Sequence, residues 1–131
     1  MKILFVCKHN RFRSKVAEAL FRKYNKDKNN EARSAGVFLD DKRKYIAENV
    51  ILVLKEHNTR VVSKMPKQLD NKIIGWADKI IIVADNVSKE IFMGKKVQVW
   101  KIEDCHERDL ECIRERVGKI EEKIKSLFKN N

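Results

Sequence analysis

Long apolar runs are missing from this sequence. No segment approaches the roughly 18 consecutive apolar residues that a membrane span needs. Ile3-Leu4-Phe5-Val6, directly after Met1 and Lys2, is too short for a secretory leader and lacks a small-residue cleavage site. The reading that follows is no membrane and a cytoplasmic location. Cysteine pairs at metal or redox spacing are missing too. The three cysteines, Cys7, Cys105 and Cys112, are odd in number with no Cys-x-x-Cys among them, which argues against a disulfide scaffold and a zinc ribbon and predicts reduced thiols. His9, His57 and His106 form no ligand spacing with them, so neither metal nor cofactor is expected. Repeats, linkers and low-complexity blocks are absent as well, and one domain over residues 1–131 is expected.

Acidic residues are the scarcer charge, 19 against 30 lysines and arginines, leaving +11. Such a surplus attracts any polyanion. The lysines are scattered and form no stripe interleaved with aromatics, so a solvated basic surface is a better reading than a nucleic-acid site. With 43% hydrophobic and 37% charged residues, the chain has the balance of a folded domain rather than a disordered one.

What is present is an alternation of short apolar strands and amphipathic helices. Lys2–Val6 reads as a buried parallel strand, and Lys79–Ala84, a continuous apolar run, as the centre of the sheet. Glu31–Val37 and Val97–Trp100 supply two more strands. Helical spacing runs from Ser14 to about Tyr24 and from Tyr45 to about His57, the latter started by Asp40-Asp41, with Ile46, Val50, Val53 and Leu54 on one face. Short helices are expected over Lys67–Ile74 and Ser88–Met93. A long one is expected over Glu107–Phe128, with Leu110, Ile113, Val117, Ile120, Ile124 and Leu127 inward and Cys112 on that side. The pattern predicts a single-domain α/β three-layer sandwich, a four-stranded parallel sheet with helices on both faces. Ligands of such sheets bind beyond the carboxyl ends of the strands.

Cys7 lies at such an end. The loop Cys7-Lys8-His9-Asn10-Arg11-Phe12-Arg13-Ser14 runs from the first strand into the first helix. Backbone N–H groups at a helix N-terminus face an anion, and the same field favours a thiolate. Arg13 can grip two oxygens of a phosphoryl group in its planar fork, a geometry that lysine does not reproduce. Ser14 is placed to donate to the sulfur and Asn10 to bond the loop backbone. The plain alternative is an ordinary buried cysteine at a strand end; the strand before, the helix after and the closing Arg-Ser weigh against it.

This loop, with Val6 before it and the helix as far as Phe21 after it, resembles the phosphate loop and first helix of the low-molecular-weight protein tyrosine phosphatase superfamily, which includes the thioredoxin-type arsenate reductases. The likeness extends through Ala32-Arg33-Ser34-Ala35-Gly36, Ser63-Lys64, the strand ending in Ala84-Asp85 and the last strand with Trp100. The resemblance implies a nucleophile at Cys7, a phosphate binder at Arg13, loop-ordering residues at Asn10 and Ser14, and substrate contacts from the loop as a whole, Lys8, His9, Arg11 and Phe12 included. It also implies an acid after the last strand, for which Asp104 is the match and Glu103 the substitute; the plain alternative for Asp104 is a helix cap. The activity implied is hydrolysis of a phosphate monoester, on a phosphorylated protein or a small molecule, at a site that binds phosphate- and sulfate-like oxyanions. Arsenate reduction and non-catalytic binding of oxyanion or nucleic acid are the alternatives.

Four departures qualify the resemblance. His9 stands where the phosphatases carry glycine and matches the reductases, yet the two cysteines those reductases carry after the third strand are replaced by Asp85-Asn86-Val87-Ser88. Phe12 replaces a second loop cysteine, which excludes a disulfide within the loop. Arg11 adds a charge that meets substrate or lies solvated on the rim. Asp104 is followed by Cys105 rather than proline, with no aromatic next, so tyrosine specificity is not implied; Cys105 is expected either within reach of Cys7 or as a plain half-buried thiol. Asp85 is expected to bond the loop or Ser34.

Overall fold

The computed structural model describes residues 1–129. Four strands, β1 (Lys2–Cys7), β2 (Glu31–Gly36), β3 (Lys79–Val83) and β4 (Lys96–Trp100), form one parallel sheet in the order β2-β1-β3-β4. The helices are α1 (Arg13–Tyr24), α2 (Glu48–Glu56), α3 (Asn71–Trp76) and α4 (Leu110–Leu127). The chain steps from β1 outward to β2, then returns to the other side of β1 for β3. That reversal leaves a crevice above the carboxyl end of β1, where doubly wound sheets hold their ligands.

Side chains alternate along β1 and β3 and so build two cores. Ile3, Phe5, Ile81 and Val83 face α1, α2 and α4 with Trp100 among them; Leu4, Val6, Ile80 and Ile82 face α3 and a 3-10 turn over Lys89–Phe92. Helices on both faces give the three layers expected. Of the residues expected inward on α4, Ile113, Val117, Ile120 and Ile124 are buried, and Leu110 and Leu127 close the ends half-buried. Among the described residues no helix is long and apolar enough to cross a membrane.

Several expectations need correction. α2 begins at Glu48, because its supposed first residues are committed elsewhere: the Tyr45 carbonyl accepts from Arg11 Nε at 2.9 Å and Ile46 N–H donates to the Lys64 carbonyl at 3.0 Å. Ile46 is buried all the same. Residues 67–69 run extended against Gly36, with Gly36 N–H on the Lys67 carbonyl and Leu69 N–H on the Gly36 carbonyl, both 2.8 Å. α3 therefore starts only after Asp70, whose side chain accepts from Ile73 N–H at 2.8 Å. α4 starts at Leu110, capped by Asp109 rather than by Asp104.

The largest correction concerns the thiols. Cys105 and Cys112 are joined in a disulfide, leaving Cys7 as the one free cysteine. Residues 106–109 turn the chain back into the first turn of α4 and bring the two Cα atoms to 5.9 Å. Cys112 sits one position, about 100°, off the buried stripe of its helix, and is half-buried beside Cys105 rather than inward.

Candidate active site

The loop after β1 is folded around the Cys7 sulfur. Ser14, in the first turn of α1, donates its backbone N–H to that sulfur at 3.4 Å, and the Ser14 hydroxyl lies 2.9 Å away. The direction of the hydroxyl proton follows from its neighbours. Asn10 Nδ2 gives one hydrogen to Ser14 Oγ at 2.6 Å and the other to Ser34 Oγ at 3.0 Å, and toward a Cys7 thiolate, which carries no proton, the Ser14 hydroxyl is the donor. Ser34 in turn donates to Glu18 Oε1 at 2.6 Å. Lys67 N–H donates to Asn10 Oδ1 at 2.9 Å, which fixes which end of the amide is which. Asn10 thus bonds a neighbouring segment's backbone rather than that of its own loop. It does so from the left-handed region, at φ 54°, which asparagine tolerates better than most residues.

Cys7, Asn10, Ser14, Glu18 and Ser34 are all buried, and among the described residues no buried side-chain nitrogen or oxygen lacks a partner. A low-dielectric site with every group paired holds its geometry rigidly. Gly36 presses on it from β2. A Cβ there would lie 2.7 Å from the His9 carbonyl carbon and 2.8 Å from the Asn10 nitrogen. Lys15, the residue after Ser14, is buried with its amine donating to the Met65 carbonyl at 2.8 Å, and burial lowers its pKa from the usual lysine value.

Above the sulfur opens a cavity of about 260 Å³. Cys7, His9, Arg11, Phe12 and Arg13 line it from the loop; Asp40, Arg43, Ala47 and Val50 from the β2–α2 side; Asp104 to Glu107 and Ile113 from the far side. Arg13 is 2% exposed. Its guanidinium donates to the Ile102 carbonyl at 2.8 Å and to Asp85 and Asn86 at 3.4 Å each, with Asp104 Oδ2 at 3.8 Å. Asp85 thus meets the loop through Arg13, while Ser34 belongs to Asn10 and Glu18. Asp104 is 51% exposed at the cavity edge, whereas Glu103 turns out to Arg116 at 3.3 Å.

Arg11 lines the cavity and is tied to its rim rather than freely solvated. It donates through Nε to the Tyr45 carbonyl and through its terminal nitrogen to Glu107 Oε1, both at 2.9 Å, and Arg43 reaches the same oxygen at 3.5 Å. The Arg11 hydrogen bond holds the Glu107 carboxyl below its ordinary pKa. Three segments are pinned across the cavity mouth by these contacts. His9 turns its Nδ1 to the Phe38 carbonyl at 2.6 Å, Lys8 is exposed away from the cavity wall, and Asn10 and Ser14 lie behind it. Sequence reasoning did not find Glu18, although its i,i+4 spacing from Ser14 was a signal, nor Asp40, Arg43 and Asn86, which approach only through folding.

A cysteine at a helix N-terminus, a buried arginine and an aspartate around one small cavity are the equipment of a cysteine-dependent phosphatase. Residues 2–130 match the model of the low molecular weight phosphotyrosine protein phosphatase family, and the chain belongs to that family. Solved structures agree. An arsenate reductase from Archaeoglobus fulgidus is 29% identical with a TM-score of 0.78, covering 95% of this chain and 97% of its own. A low molecular weight protein tyrosine phosphatase from T. tengcongensis is 25% identical with a TM-score of 0.85, covering 97% of each. The YwlE arginine phosphatase from Geobacillus stearothermophilus is 25% identical with a TM-score of 0.82, covering 96% of this chain and 89% of its own. No curated protein sequence matches the chain.

Proposed function

We propose that this protein hydrolyses phosphate monoesters in two steps through a thiophosphate on Cys7. The observation that carries the reading is the Cys7 sulfur, which takes the Ser14 N–H and hydroxyl at 3.4 and 2.9 Å on the floor of a cavity shared with Arg13 and Asp104. Substrate phosphate replaces the weaker partners of Arg13, and the guanidinium fork holds two of its oxygens while the Ile102 carbonyl keeps the fork in plane. Cys7 attacks phosphorus in line with the ester oxygen, which leaves with a proton from Asp104. Water then attacks the thiophosphate, losing its proton to Asp104, and phosphate departs as the Cys7 thiolate re-forms. Asp104 is the acid in this scheme because it faces the cavity and Glu103 is engaged with Arg116.

The substrate class is a phosphorylated protein or a small phosphate monoester. The T. tengcongensis relative is a tyrosine phosphatase and the G. stearothermophilus relative an arginine phosphatase; aryl phosphate and phosphoarginine assayed together separate the two here. Cys7→Ser is expected to abolish turnover, and Asp104→Asn to slow it by roughly 10²–10⁴. Full activity in the Cys7→Ser protein would end the proposal. Arsenate reduction is decided on the same preparation: arsenite formed from arsenate and a thiol donor, without aryl phosphate hydrolysis, would replace phosphatase by reductase.

A further inference from the structure

The phosphatase scheme leaves two cysteines unused, and one of them opens on its cavity. Cys105 shares the wall with Cys7, and Cys112 is bonded to it from the first turn of α4. Cys7 itself is free, and the thiolate that attacks phosphorus in the proposed scheme meets any other electrophile that enters the same cavity. A thiolate of this kind is the first target of a peroxide entering the cavity. Cys7 is the only cysteine between residues 7 and 14, so no thiol within the loop can intercept the oxidised sulfur. Cys105 faces it across the cavity instead. It lies on residues 101–109, a stretch without regular structure. Side chains hold that stretch: Arg116 on the Glu103 carbonyl, Arg13 on that of Ile102 and Asn49 on that of Glu107. Such a segment shifts more readily than a strand or helix once its disulfide is open.

We propose that Cys105 and Cys112 are a resolving dithiol for Cys7, and that their disulfide is the end product of rescuing it from oxidation. The proposal rests on the reading of Cys7 as a thiolate. In the first step the Cys7 thiolate attacks a peroxide oxygen; the O–O bond breaks, Cys7 becomes a sulfenic acid, and the peroxide is reduced by two electrons to its alcohol or to water. The Cys105 thiolate then attacks the Cys7 sulfur, the S–O bond breaks, and hydroxide leaves with a proton as water, giving a Cys7–Cys105 disulfide. Cys112 attacks the Cys105 sulfur, the Cys105–Cys112 bond forms, and Cys7 departs as thiolate. The net reaction converts a dithiol and a peroxide to a disulfide and reduced peroxide, and an external dithiol reductant resets the half-buried pair. The oxidised form is then the one described here, with the nucleophile free.

The test uses the full chain, reduced, freed of thiols and treated with hydrogen peroxide, with each cysteine followed by alkylation and peptide mass. The wild type is expected to accumulate the Cys105–Cys112 disulfide while Cys7 stays alkylatable. Cys112→Ser is expected to stall at a Cys7–Cys105 disulfide, and Cys105→Ser to carry Cys7 on to sulfinic acid several-fold faster than wild type. Cys7→Ser is expected to form the Cys105–Cys112 bond more slowly. Equal rates of that bond with and without Cys7 would make the pair a structural staple and overturn the proposal. So would a Cys112→Ser protein with no Cys7–Cys105 link and the same sulfinic acid yield as wild type. These readouts follow sulfur alone, so a protein without phosphatase turnover still passes or fails them, and an active phosphatase without the cross-link sinks only the rescue.

Discussion

The two loops that meet over the cavity are held by different kinds of bond. Residues 7–14 are anchored by buried, fully paired hydrogen bonds running from Cys7 through Ser14, Asn10 and Ser34 to Glu18. Residues 101–109 are held at the surface by ion pairs of Arg11, Arg43 and Arg116, by the buried Arg13, and by one disulfide. The contrast matches the tasks proposed for them. An anion cradle is useful only if its dipoles are already oriented, whereas a residue that gives and takes protons must reach water, as the half-exposed Asp104 does. Breaking the first loop should therefore cost both chemistry and fold, whereas in the second the loss of Asp104 should cost chemistry and the loss of a surface ion pair little of either.

Arg13→Lys tests the comparison hardest. The lysine amine keeps the charge but cannot bond the Ile102 carbonyl and two phosphate oxygens at once. A loss of roughly 10²–10³ in kcat/KM is expected, in line with removal of one transition-state donor. An unchanged kcat/KM on aryl phosphate would mean that the fork does not grip the substrate.

Gly36→Ala comes next, and it separates fold from chemistry within the buried loop. Its methyl group meets backbone atoms of His9 and Asn10 at 2.7 and 2.8 Å, atoms that cannot swing aside as a flexible side chain would. Overpacking of this kind costs about 1–3 kcal/mol, read as a lower urea midpoint, and inhibition by inorganic phosphate should weaken with it. A midpoint equal to wild type with normal phosphate inhibition would show that the loop yields easily, which the hydrogen-bond chain argues against.

The same contrast explains what was legible in the sequence. The loop from Cys7 to Ser14 is local: strand, anion-binding turn and helix start follow one another, and residue types alone point to their chemistry. The strands were legible for a similar reason, since Ile80 to Val83 are apolar on both faces and lie between two helical layers. The other side of the cavity is assembled from distant segments. The start of α2 was misjudged because Arg11 and Lys64, far off in sequence, claim the backbone groups of Tyr45 and Ile46. The disulfide was missed because an odd cysteine count says nothing of a turn that folds Cys105 back on Cys112. The tie between Arg11 and Glu107 was missed because nothing in the neighbourhood of Arg11 foretells a partner 96 residues on.

Glu107→Gln is the mildest test and bears on the second loop only. The Arg11 guanidinium holds the Glu107 carboxyl below its usual range, so the folded state binds a proton there less readily than the unfolded chain. The contribution is therefore complete above the ordinary carboxylate value of about 4.3 and disappears as pH falls through the lower folded value. With the carboxylate one-third exposed, the pair is worth about 0–1 kcal/mol at neutral pH. Urea midpoints of wild type and Glu107→Gln should differ slightly at pH 7 and converge as pH falls below the lowered folded value, where the carboxyl is neutral in both states. Glutamine keeps the shape and one acceptor oxygen, so turnover of a small aryl phosphate should change by less than about threefold, within the range that an exposed ion pair controls. A collapse of stability comparable to that of Gly36→Ala would show that the second loop is as tightly built as the first, and the division between a rigid cradle and an adjustable acid loop would have to be abandoned.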